Sequence, residues 1–171
     1  MINHILVAQQ LERNAETIRS YIKGVTETQA RWRPTPEDWS ILEVINHLYD
    51  EEREDFRQRI DYTLHKPDEP CPPIDPAGWV SERKYNERIL AESLANFLHE
   101  RQQSVYWLGQ LTTPDWEKDE QHTAGFTLKA GDLLSSWLAH DFLHLRQLNE
   151  LHYAWVKSQA EPFSIEYAGD W

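Results

Sequence analysis

Residues 133–151 read LLSSWLAHDFLHLRQLNEL. Leu133, Leu134, Trp137, Leu138, Leu145, Leu148 and Leu151 return at three- and four-residue steps, the period of one face of an α-helix. His140 and His144 lie on that same apolar stripe, one turn apart and about 6 Å along the axis. An imidazole pointed into a core needs a partner for each ring nitrogen. One metal ion can serve both rings at this spacing. Core histidines satisfied by hydrogen bonds are the competing reading, because HxxxH pairs occur in many helices.

Upstream, WSILEVINHLYDEERE (residues 39–54) carries a helix start. Ser40 is an N-cap, and Glu43 three residues on completes a capping box; Trp39 can staple onto Val44. The pattern predicts a second helix to about Leu64, with Ile41, Val44, Ile45, Leu48, Phe56 and Ile60 inward. His47 sits on its inner side with Val44, Leu48 and Glu51. A first helix is predicted over about residues 2–23, with Ile5, Leu11, Ile18 and Ile22 near one face and Gly24 as its stop. A short helical turn is expected at Glu27–Arg31.

A third helix is expected at roughly 82–111, capped by Ser81, and the last at about 130–156. HKPDEPCPPIDPAGW (65–79) is too rich in proline for regular structure. TTPDWEKDEQHTAGF (112–126) is a polar connector, and EPFSIEYAGDW (161–171) a short strand or docked coil. Four amphipathic helices make the predicted class all-α, a four-helix bundle. One domain over residues 1–171 suits the length. Fifteen extended residues reach about 50 Å, enough to return along a helix of roughly 38 Å, so two consecutive helices can run parallel.

The chain has 171 residues and a formal net charge of −12. That balance argues against nucleic acid, whose phosphates are bound by lysine and arginine, and against an anionic membrane surface. The single cysteine, Cys71, cannot form an internal disulfide, and a reducing, cytoplasmic setting is expected. The N-terminus lacks the pattern of a signal peptide, and no apolar run is long enough to span a membrane.

WSILEVINHLYDEERE resembles the WS…xxHLxxxE segment of the DinB-like superfamily, which includes the YfiT-type proteins. FTLKAGDLLSSWLAHDFLHLRQLNELH (126–152) is similar to its last helix with the HDxxHLRQ signature, and LANFLHERQQSVYWLGQL (94–111) to its third. The resemblance covers nearly the whole chain in order. It implies a bundle in up-down-down-up order, often a homodimer, and a divalent metal held by three histidines. Position by position these are His47, His140 and His144, all present here. Zinc or nickel is the expected ion.

Around this trio, Glu51 shares the face of His47 and is the one candidate catalytic group. It can activate metal-bound water or a thiol, or ligate the metal itself; the favoured reading is structural, orienting an imidazole N–H or pairing with Arg101. Arg101 interrupts the third stripe and needs a buried partner, with Asp50, Glu51 and Asp141 as candidates. Asp141 is expected in an interhelix or dimer contact, and Arg146 and Gln147 on the helix surface or a dimer interface. Trp39, Trp107 and Trp137 can line a pocket, but at helical spacing they read as core. His4, His65, His99, His122 and His152 are not expected to ligate.

The resemblance implies a metal-dependent enzyme. Characterised relatives include transferases that use low-molecular-weight thiols, a maleylpyruvate isomerase and metal-dependent hydrolases. A thiol transferase acting on a small-molecule substrate is the leading expectation. A non-catalytic metal or small-ligand binder in a stress response, or a hydrolase, is the alternative.

Overall fold

The structure, a computed structural model, describes residues 2–66, 68–121 and 127–169. Helix α1 spans His4–Ile22, its first turn closed by the Asn3 side chain accepting from the Ile5 and Leu6 N–H groups. The short α2, Glu27–Arg31, lies where the sequence predicts it. Helix α3 covers Ile41–Asp50 and opens on the predicted capping box: Ser40 Oγ accepts from Glu43 N at 3.2 Å, and Glu43 Oε2 accepts from Ser40 N at 2.8 Å.

The second rod is not a uniform α-helix. A π-helical turn, Glu51–Phe56, joins α3 to α4, Arg57–His65. The reason lies in the spacing of what is buried. Leu48, Glu52, Phe56, Ile60 and Leu64 are all buried, in four consecutive steps of four. In a regular helix each such step runs about 40° ahead of the turn. A wider turn takes up the excess and keeps one face pointed at the core.

The proline-rich stretch holds a helix after all. Asp75 caps α5, Pro76–Glu82, by accepting from Gly78 N at 3.0 Å, and Pro76 occupies the first helical position, where its missing N–H costs nothing. Ser81 therefore lies inside α5, and α6 begins only at Leu90, running to Gln110. Buried Trp79 and Tyr85 press this crossover segment onto α3. The second connector carries a small antiparallel hairpin, β1 Asp119–Gln121 with β2 Thr127–Lys129. Helix α7, Ala130–Ala160, extends four residues past its predicted end of about 156. The tail holds a 3-10 turn at Glu166–Ala168 rather than a strand.

Two apolar clusters fix the rod directions. One gathers Ile18 and Ile22 of α1, Ile41, Val44, Ile45 and Leu48 of α3, Leu90 and Phe97 of α6, and Leu148 and Leu151 of α7. The other gathers Val7 and Leu11 of α1, Ile60 and Leu64 of α4, Leu108 of α6, and Leu133 and Trp137 of α7. Hence α1 and α7 run one way and the α3–α4 rod and α6 the other, an up-down-down-up bundle. Between the clusters lies a polar layer: Asn14, His47, Glu51, Glu52, Arg101, His140 and Asp141. No helix among the described residues is long and apolar enough to cross a membrane.

Candidate metal centre

Three histidines meet in that layer. His47 arrives from α3, and His140 and His144 from successive turns of α7. The Nε2 atoms of His47 and His140 are 3.2 Å apart, and those of His144 and His140 3.1 Å. One nitrogen of each ring lies within 4.8 Å of the other two, and no cysteine or carboxylate among the described residues joins the group. The crossing of an antiparallel pair of rods makes this possible, since each rod supplies its inward face at the same height.

The donor set fits a divalent ion. Zinc–imidazole bonds of about 2.0–2.1 Å place two nitrogens of a tetrahedral site about 3.3 Å apart, close to the spacing seen. The rings are held neutral. Burial and the neighbouring His144 push His47 down to about 3. Burial, His144 and His47 push His140 down to about 2, and burial lowers His144 as well. Neutral imidazoles keep a lone pair for a metal.

The surrounding residues orient and wall the cluster. Gln147 Oε1 lies 2.8 Å from His144 Nδ1 and accepts a hydrogen bond from its N–H, which leaves Nε2 bare. Gln147 thus turns inward to the site; its place one turn after His144 was the available signal. Trp39 stacks on His144, 3° from parallel at 6.4 Å, and meets His47 edge-on at 4.9 Å. Phe56 covers His140 at 5.1 Å. Trp39 is therefore site wall as well as core, while Trp137 is core.

Glu51 stands on the far side of His47. Its Oε1 is 3.9 Å from Nδ1, not from the converging Nε2 atoms. Burial, then Asp55, Asp50 and Glu52, push its carboxyl up to about 9. It does not pair with Arg101. That guanidinium binds Asp141 through two bonds of 2.8 and 2.7 Å and Glu52 at 2.7 Å, and donates to the Leu11 carbonyl at 2.8 Å. Burial alone would depress Arg101, but Glu52 and Asp141 outweigh it and keep the guanidinium charged. Trp137 Nε1 donates to Glu52 at 2.7 Å and Asn14 Nδ2 to Asp141 at 3.0 Å, so the hub ties all four rods. Asp50 serves the crossover instead, accepting from Tyr85 and pairing with Arg83 and Arg53.

The other histidines stay apart from the site. His4 packs against Trp116, His65 pairs with Asp61, His99 is exposed, and His152 Nδ1 meets Gln29 at 3.3 Å. His122 lies outside the described residues.

The family model of the DinB superfamily matches residues 10–148. No curated protein shows significant sequence similarity to the chain. Among solved structures the chain is similar to YfiT from Bacillus subtilis, with a TM-score of 0.78 and 18% identity over 90% of this chain and 89% of that one. That protein is described as "a probable metal-dependent hydrolase with an unusual four-helix bundle topology".

Proposed function

The chain belongs to the DinB superfamily, and from that premise we propose that it is a divalent-metal-dependent transferase working with a low-molecular-weight thiol. One observation carries the reading: three imidazole nitrogens converge within 4.8 Å with no fourth protein ligand among the described residues. His47, His140 and His144 would hold the ion, and three protein ligands leave room for an exogenous one. Three imidazoles suit zinc and nickel alike. A divalent ion supplies Lewis acidity there, bringing a thiol or a water molecule to its nucleophilic form near neutral pH.

The residues of the chain do the positioning. The imidazoles, with their pKa values lowered, face little proton competition near neutral pH. Gln147 holds His144 with Nε2 forward. Trp39 and Phe56 set apolar rings against the imidazoles, a surrounding that favours a weakly hydrated sulfur nucleophile. The carboxyl beside His47 stands on its Nδ1 side, so it is not placed as a general base at the Nε2 convergence. A thiol, already acidic in water, has less need of one.

Hydrolysis is the second reading, favoured by the description of the YfiT structure. Purified protein loaded with zinc or nickel, assayed with several small thiols and a panel of electrophiles, separates the two. Thiol-dependent turnover lost in His144→Ala with helicity intact supports the transferase. Turnover of esters or amides without thiol moves the assignment to hydrolysis. No metal uptake and no turnover overturns both.

A further inference from the structure

Two buried polar atoms beside the metal centre face one another without a hydrogen-bond partner among the described residues. They are His47 Nδ1 and Glu51 Oε1, 3.9 Å apart, on side chains each 6% exposed. An unsatisfied buried polar atom costs about 1–3 kcal/mol. A small rotation of either side chain would close the gap and satisfy both.

We propose that Glu51 is a positioning residue: its Oε1 accepts the Nδ1–H of His47, which selects the tautomer that leaves Nε2 bare toward the other two histidines. Gln147 already does this for His144 from the following turn of α7. A ligating histidine whose second nitrogen is so held is oriented and made more basic.

The backbone supports the assignment. Glu51 is the first residue of the π-helical turn, and that turn buries Glu51 and Glu52 side by side, at 4% and 1% exposure. Successive residues of a helix point about 100° apart. Here one carboxyl faces His47 while its neighbour binds Arg101 at 2.7 Å. Asp55, one turn on, adjoins the Glu51 carboxyl and helps to raise its pKa, and pairs with Arg59 at 3.0 Å. The ladder His47, Glu51, Asp55, Arg59 thus runs in four-residue steps down the rod.

The inference builds on the metal-centre reading, and its test separates the two. The ring nitrogens of His47 are followed by 15N NMR in the metal-free full chain near neutral pH, in wild type, Glu51→Gln and Glu51→Leu. Zinc affinity is measured on the same proteins by competition with a chromophoric chelator. Glutamine keeps a carbonyl acceptor for His47 and an N–H for Asp55; leucine keeps neither. The expected result is an Nδ1–H tautomer in wild type and Glu51→Gln, lost in Glu51→Leu. Zinc affinity should fall about 10–100-fold in Glu51→Leu and stay near wild type in Glu51→Gln.

A wild-type tautomer and wild-type affinity in Glu51→Leu would overturn the assignment. So would a Glu51→Gln protein that loses both. If wild type takes up no zinc, the metal reading fails, and the tautomer comparison alone still decides the role of Glu51. Should Glu51→Leu fail to fold, by circular dichroism, Glu51→Ala supplies the variant without an acceptor.

Discussion

Arg101 of α6 grips Asp141 of α7 with two parallel bonds, Nη1 to Oδ2 at 2.8 Å and Nη2 to Oδ1 at 2.7 Å, and Asp141 is the residue next to His140. The ion pair therefore sets where α7 stands at the height of the histidines. Both partners are nine-tenths buried or more, so neither can turn to water if the other is removed.

Arg101→Met is expected to strand two buried carboxyl groups, Glu52 and Asp141. Removing one partner of such a buried set costs about 3–5 kcal/mol. Urea unfolding of the metal-free protein checks this. A loss under 1 kcal/mol (about a fivefold change in the folding equilibrium) would show that water reaches the layer.

Gln147→Leu removes the acceptor 2.8 Å from His144 Nδ1. The fold should be little affected, since Gln147 is half-buried and leucine is of similar volume. Metal affinity is expected to fall about tenfold or more, read by calorimetric titration with zinc or nickel.

Acid should destabilise the metal-free protein before its surface charges explain it. Below the ordinary imidazole value of about 6.5, the unfolded chain takes up protons that folded His47, His140 and His144 refuse. Their contribution is complete above that value and is lost as pH falls from about 6.5 toward about 3. Glu51 works in the opposite direction between its ordinary and raised values, but one carboxyl opposes three rings and the rings prevail. Urea midpoints measured from about pH 7 to about pH 4 should fall steadily. A flat profile would mean that the rings titrate freely.

Glu51→Gln isolates that opposing group. The folded carboxyl keeps its proton up to about 9, whereas the unfolded one releases it near 4.5. Wild type accordingly loses stability as pH rises through this window, and the amide does not. The variant should gain on wild type by up to about 1.4 kcal/mol per pH unit across it, seen as a widening gap in urea midpoints. No widening would place Glu51 in contact with water.

Ser40→Ala removes the cap of α3 and the Oγ bond to Asn86 at 2.7 Å, which tethers the crossover. A loss of about 1–2 kcal/mol is expected, measured by thermal or urea unfolding.

Much of this could be read locally. The stripe through Leu133, Trp137 and Leu148, the box at Ser40 and Glu43, and the inward placement of His47, His140 and His144 follow from three- and four-residue spacing. The helix at Pro76 was legible too, in the Asp75–Pro76 start, but the density of prolines hid it. The four-residue run from Leu48 to Leu64 signalled a wider turn and read instead as an ordinary helix.

The sequence by itself determined the rods, their apolar faces and the three rings turned inward, because helical periodicity is a property of neighbours along the chain. Only the tertiary structure decided that Arg101 takes Glu52 and Asp141 rather than Asp50 or Glu51, and which nitrogen of each imidazole points to the centre. Those choices depend on the height and rotation at which separate rods pack. Rod packing is set by how the two apolar clusters fill space, and no single segment encodes it.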